Sequence, residues 1–189
     1  MGAGLPCLAE MEEKMTKIVL TYGLISGGIL AGLFALMMPL CLNGSMDYEH
    51  SEVLGYTAMI LAFILVFLGV RSYRENAGGG SITFGKAFQV GLLITLVTCA
   101  VYVISWEIVY WGFMPDFGDK YSAHMIEKAR KSGASAAVIA ETTAEMARFR
   151  ELYKNPFINV GMTFIEVFPV GLIVTLVSAG ILRKVYTPV

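Results

Sequence analysis

Charge is scarce in this sequence, and the places where it is missing say more than the shortage itself. Charged residues fill 15% of the 189 positions and hydrophobic ones 56%, against about 25% and about 45–50% in ordinary soluble chains. The charges stand between long apolar runs instead of alternating with them. A soluble element keeps one wet face; a long run without one points to lipid as its solvent. A basic stripe is missing too. With a formal net charge of −1, no electrostatic footprint for nucleic acid stands out.

Cysteine is sparse. Cys7, Cys41 and Cys99 form neither a metal-ligand spacing nor a disulfide framework. Cys41 and Cys99 fall in or beside apolar runs and read as small buried hydrophobes. A secretory signal is lacking, because residues 1–14 hold no apolar core and carry Glu10, Glu12 and Glu13. Pro6 stands where myristoylation after Gly2 wants Ser or Thr. Residues 1–14 are therefore expected to be a disordered or non-native extension, with either Met1 or Met15 as the natural start, and residues 15–189 a single membrane domain. The alternating pattern of a β-barrel is also absent.

Four apolar runs are present, near Ile18–Leu42, Val53–Val70, Phe84–Trp111 and Phe157–Leu182. Each approaches or exceeds the roughly 20 residues a span needs. Inside lipid every backbone amide must be satisfied within its own segment, so these runs predict helices. The expected fold is all-α: a membrane-embedded four-helix bundle with a helical hairpin outside the lipid between the third and fourth spans. Small residues mark packing faces. Gly23, Gly27, Ala31 and Ala35 form one row on the first span, and Gly28 and Gly32 a second. Such rows let backbones approach, either within the same bundle or across a homodimer seam. Gly91, Gly161 and Gly171 are further candidates for close approach.

Orientation follows the basic residues. The first connection, 43–52, has none, whereas the second carries Arg71, Arg74 and Lys86. Lys14 and Lys17 near the N-terminus and Arg183 and Lys184 near the C-terminus fall on the same side as the second connection. That side is expected to be cytoplasmic. The third connection is long, and its basic residues are nearly offset by acids. Trp106, Tyr110 and Trp111 suggest an aromatic belt at the headgroup level.

Residues 116–155 predict the hairpin. Asp116 can cap its first helix, Asp119 lies in the first turn, and Lys128, Arg130 and Lys131 crowd the last. Glu127 and Lys131 make an i, i+4 pair. Ser132-Gly133 reads as a stop, and Ser135 starts a second helix whose Val138, Met146, Phe149 and Tyr153 fall roughly on one face. On the first helix Phe117, Tyr121 and Met125 recur every four residues. The two faces are expected to pack together, with the membrane surface or a protein partner as alternatives. Asn155-Pro156 closes the hairpin and admits the fourth span.

Two local patterns fail on inspection. Gly80 to Ala87 nearly matches a phosphate-binding loop, but Ala87 replaces the Ser or Thr that holds magnesium, and no sheet strand precedes it. The plainer reading is a glycine turn, Gly78 to Gly80, before a span anchored by Lys86, whose ammonium snorkels to headgroup phosphates. His50 sits among Asp47, Glu49 and Glu52 without a second histidine at ligand spacing, so a solvated acidic loop is expected there and not a metal site.

Ionisable groups inside a span are costly and point to function. Glu166 lies roughly 14 Å into its helix and Glu107 roughly 6 Å from the same face, at 1.5 Å per residue. Pro169 removes the backbone bond to Ile165 and predicts a helix kink with a free carbonyl. Together these make a candidate ion or proton site. The competing structural reading makes Glu107 interfacial, beside Trp106, and Glu166 a neutral, hydrogen-bonded acid.

Several stretches carry a family resemblance: Ser51-Glu52-Val53-Leu54-Gly55-Tyr56, Gly80 to Phe88, Trp106-Glu107, Phe113-Met114-Pro115-Asp116-Phe117, Tyr153-Lys154-Asn155-Pro156 and Glu166 to Leu172. In combination the chain, from about residue 15 to 184, resembles the bacterial membrane family called domain of unknown function 4199. The resemblance implies a four-span protein of the bacterial inner membrane and supplies no activity.

The expected function is a non-enzymatic membrane component acting through helix association and the polar hairpin. The alternative is a small ion- or proton-coupled transporter built on Glu166 and Glu107. An intramembrane enzyme finds no paired nucleophile and base. Expected partners are the lipid bilayer, a second copy of the chain and a protein docked on residues 116–155. Neither nucleotide, nucleic acid, metal nor cofactor is expected.

Overall fold

A computed structural model describes residues 4–42 and 48–184, with side chains from 10–37 and 53–184. The described residues form six helices: α1 (Gly4–Leu42), α2 (Tyr48–Asn76), α3 (Phe84–Phe113), α4 (Phe117–Lys131), α5 (Ala136–Tyr153) and α6 (Pro156–Leu182). Four helices, over Glu10–Met37, Val53–Asn76, Phe84–Phe113 and Pro156–Leu182, are long and apolar enough to cross a membrane. Residues 1–14 were set apart by sequence. The helix α1 runs unbroken from Gly4, and i, i+4 ion pairs Glu10–Lys14 (2.8 Å) and Glu13–Lys17 (2.7 Å) line its early turns. Cys7, Cys41 and the acidic stretch around His50 lie outside the residues whose side chains are described.

The chain divides into two compact units, one of Met1–Tyr102 with Glu166–Val189, the other Val103–Ile165. Apolar burial against a neighbouring helix gains little when lipid is the alternative, so close backbone approach and hydrogen bonds must hold such helices together. The first unit shows both. A methyl built on Gly23 would stand 2.6 Å from Val97 Cβ, and one on Gly27 would stand 2.6 Å from Val101 Cβ. Paired numbers that rise together make α1 and α3 parallel. Beside this seam the Thr98 hydroxyl donates to the Gly23 carbonyl at 3.3 Å and to Ile94 of its own helix at 3.0 Å. Ser26 of α1 donates to the Ala62 carbonyl of the antiparallel α2 at 2.9 Å.

On the other side of α3, Thr95 and Thr175 share a hydrogen bond of 2.9 Å, and Thr95 reaches the Gly171 carbonyl at 3.4 Å. Gly171 leaves room for Thr95 and Phe63, and Gly91 for Thr175. Ser26, Thr95, Thr98 and Thr175 are all fully buried. Each hydroxyl has an acceptor, as burial requires.

The second unit closes on aromatic rings. Trp106 meets Phe117 edge-on at 4.9 Å, Tyr110 meets Tyr153 at 5.4 Å, and Tyr121 and Phe149 link α4 to α5 at 5.5 Å. Arg150 pairs with Asp119 at 3.0 Å between the same two helices. The apolar faces of α4 and α5 therefore pack on each other. Trp106 and Tyr110 are buried, at 7% and 3% exposure, while Trp111 is 51% exposed. Two of the three rings read from the sequence as a belt, Trp106 and Tyr110, are packed within the second unit, because α4 and α5 supply partners that a span in isolation lacks.

Local chemistry explains the helix ends. Gly133, at φ 74°, ends α4, with Gly133 N–H bonded to the Arg130 carbonyl and Ala134 N–H to Ala129; this double closure favours glycine. Ser135 caps α5, accepting from Val138 N–H. Asp116 stands at the N-cap of α4 without a side-chain cap bond. Its carboxylate turns instead to Lys120 at 2.8 Å. Pro156 opens α6, where a missing N–H costs nothing, and the Asn155 side chain accepts from Phe157 N–H at 3.0 Å.

Candidate functional site

Glu166 and Glu107 fall in different units. Glu166 lies on an exposed face of α6. Among the described residues no hydrogen bond or ion pair engages it. Toward the C-terminus the same face continues through exposed Pro169, then Ile173 at 62%, Val177 at 54% and Ile181 at 65% exposure. These recur every three or four residues, as one stripe of a helix does. The carboxyl is thus the polar exception on an otherwise apolar outward stripe. Pro169 lies inside the continuous helix and cannot donate a backbone hydrogen bond to the Ile165 carbonyl.

Glu107 has a different setting. Its Oε2 accepts from Trp111 Nε1 at 2.8 Å, one helical turn on. Its Oε1 is buried and has no hydrogen-bond partner. A buried carboxylate oxygen left without a partner is costly, which sets this atom apart from the paired Oε2.

Sequence reasoning did not single out the most connected polar group of the second unit. Asn159 is fully buried. Its Oδ1 accepts from Trp106 Nε1 at 2.9 Å and from the Thr163 hydroxyl at 3.4 Å, while its amide donates to the Tyr153 carbonyl at 3.4 Å. The available signal was an amide inside an apolar run, which pays for its place only when satisfied.

The glycine rows diverge. Gly23 and Gly27 meet Val97 and Val101, whereas Gly28 and Gly32 have nothing within 4 Å of a built Cβ. Gly161 is similarly open. Gly23 and Gly27 are taken up by packing within the first unit, Ala35 of the same row is exposed, and Gly28 and Gly32 lie on an exposed face of α1.

Outside the candidate spans, ion pairs set the electrostatics of α4 and α5. Lys120 holds the Asp116 carboxyl below its ordinary range, Lys131 does the same to Glu127, and Lys154 to Glu151. Glu151 in turn raises Lys154. A shallow surface recess of about 640 Å³ is lined by Ala123, Ile126, Glu127, Arg130 and Lys131 of α4. Among the described residues no three His, Cys, Asp or Glu side chains cluster as metal ligands.

A family model described as "Protein of unknown function (DUF4199)" matches residues 21–184. No curated protein and no solved structure matches the chain.

Proposed function

The chain belongs to the family described as a protein of unknown function, DUF4199, and since that description carries no activity we propose from the geometry that it is a non-enzymatic component of the bacterial inner membrane that works by association. In this reading the four apolar helices form a four-helix bundle, both termini face the cytoplasm, and α4 with α5 is an extramembrane hairpin available to a protein partner. The observation that carries it is the outward position of Glu166. A carboxyl on a lipid-facing stripe is expensive unless another group shares its proton. A second helix, from another copy or another protein, supplies that group and covers the stripe. The open Gly28–Gly32 face of α1 gives a second surface on which backbones can approach.

The test is a pair of substitutions. Glu166→Gln keeps hydrogen bonding and shape and removes the ionisable group; Glu166→Leu removes both. Association predicts that Gln retains in-membrane cross-linked complexes and rescue of a deletion strain, while Leu loses both. Complexes that survive Glu166→Leu unchanged defeat the reading.

A second reading, an ion- or proton-coupled transporter, is favoured by the unpaired Oε1 of Glu107. It predicts the opposite split, with loss of function in Glu107→Gln or Glu166→Gln while complexes remain intact.

A further inference from the structure

Five cationic side chains that are far apart in sequence meet at one end of the first unit. Arg71 and Arg74 lie near the end of α2, Lys86 in the first turn of α3, and Arg183 and Lys184 just beyond α6. One side-chain bond and one backbone pairing fix the meeting. Arg74 Nη1 donates to the Leu182 carbonyl at 3.4 Å, satisfying an acceptor that the end of α6 leaves open. Ile82 and Lys184 exchange both backbone hydrogen bonds at 2.9 Å, which ties the segment after α6 to the turn before α3. That turn bends through Gly79 and Gly80, at φ 57° and 84°, a backbone path open to glycine. Lys86 then holds its ammonium 5.7 Å from the centre of the Tyr73 ring.

The carboxylate in this cluster is Glu75. It accepts from Arg71 Nε at 3.0 Å and Arg74 Nη2 at 3.3 Å. Among the described residues of these three segments, five cations face that one carboxylate. Arg183 and Lys184 are exposed and Lys86 is half-buried. The start of α1 adds no positive charge, since Lys14 and Lys17 are paired with Glu10 and Glu13 of their own helix and Glu12 leaves that stretch at −1, so a positive excess remains.

The cluster also has an apolar border. Phe84 is 44% exposed, Leu68 39% and Ile181 65%, each within a turn or so of one of the cations along its own helix. Free phosphate would use the charges and leave that border bare. A phospholipid uses both, because its headgroup sits where the apolar spans end and its chains lie beside them.

We propose that this basic collar is a binding site for the phosphate headgroups of anionic phospholipids, with the acyl chains against the exposed apolar residues of α2, α3 and α6. The collar goes beyond the association reading and does not depend on Glu166. Its physical basis is additive attraction between juxtamembrane Lys or Arg and an anionic leaflet, which falls off within a screening length.

The experiment uses the full chain in an uncharged detergent, with phosphatidylglycerol or phosphatidylcholine of identical acyl chains added to the micelles. Bound lipid is counted by native mass spectrometry. The anionic phosphatidylglycerol is expected to bind in preference, and less so as salt rises from about 50 to about 500 mM. Lys86→Gln, Arg183→Gln and Lys184→Gln together should weaken its binding by about 10- to 100-fold. The charge-keeping set Lys86→Arg, Arg183→Lys and Lys184→Arg should retain it. Neutralising Lys128, Arg130 and Lys131 on α4 in the same way should leave it unchanged. Equal binding of the two lipids, or indifference to salt, overturns the proposal on the unaltered protein even if the neutral variant fails to fold. Full binding by a folded neutral variant overturns it as well.

Discussion

Trp106 Nε1 donates to Asn159 Oδ1 at 2.9 Å, and both side chains are buried. The bond joins α3 to α6 within the second unit. It is also the inner boundary of the aromatic cluster, since Trp106 packs edge-on against Phe117. Asn159 further binds the end of α5 through the Tyr153 carbonyl.

Removing one member of this pair strands the other. Asn159→Leu should lower stability by about 1–3 kcal/mol, the cost of a buried donor left unpaired. Trp106→Phe should cost a similar amount. The double variant should cost less than the sum, because the two losses share one bond. Thermal unfolding of the purified protein in detergent measures all three, and strict additivity would show that the bond contributes nothing.

The two glycine rows of α1 should respond in opposite ways to the same change. Gly23→Ala places a methyl against Val97 and should destabilise by about 1–3 kcal/mol through overpacking. Gly28→Ala meets open space and should shift the unfolding midpoint little. Gly28→Leu, by contrast, should disturb any assembly formed through that face, read as a change in cross-linked species with the monomer's stability preserved.

The ion pairs of α4 and α5 predict a flat response around neutrality and a loss in acid. Asp116, Glu127 and Glu151 have carboxyls held below their ordinary values by Lys120, Lys131 and Lys154. A lowered folded-state value means the contribution is fully present above the ordinary carboxylate range and disappears as pH falls through the lowered value. Lys154 is raised, so its share persists up to the ordinary lysine range and is lost above it. Carbon-13 titration of the three carboxyls should give midpoints below the ordinary values of 3.8 for Asp and 4.5 for Glu. Midpoints at or above those values would show that the pairs do not form in solution.

Orientation is open to a direct chemical test. Ser135 is exposed at the start of α5. With Cys7, Cys41 and Cys99 replaced, Ser135→Cys should react with an impermeant maleimide added outside intact spheroplasts. Reaction only after permeabilisation would place the α4–α5 pair in the cytoplasm and reverse the proposed topology.

The four apolar helices and both polar ones are legible in the sequence because their signals are local. Hydrocarbon length marks the former, while Gly133, Ser135 and Asn155-Pro156 mark ends of the latter. Facing is not local. In a soluble helix the polar face shows which side is wet, but here both the inward and the outward sides of a span are apolar. Gly23 and Gly28 therefore look alike until Val97 is seen against one and nothing against the other. The same ambiguity hid Trp106, whose position near a span end fits a membrane interface as well as a core. Glu166 was found because a carboxylate is conspicuous in an apolar run, yet its outward direction depends on which side of α6 the Thr175 contact occupies. Meetings such as Arg74 with Leu182, more than a hundred residues apart, leave no trace in spacing at all.

The contact between α1 and α3 also limits how the protein can move. Gly23 and Gly27 sit against Val97 and Val101, with the Thr98 hydroxyl latched to the Gly23 carbonyl between them. Sliding one helix past the other by a residue, roughly 1.5 Å, carries Val97 and Val101 off the two glycines and stretches the latch. Travel of one helix along the other has to give up both glycine contacts and that hydrogen bond at once.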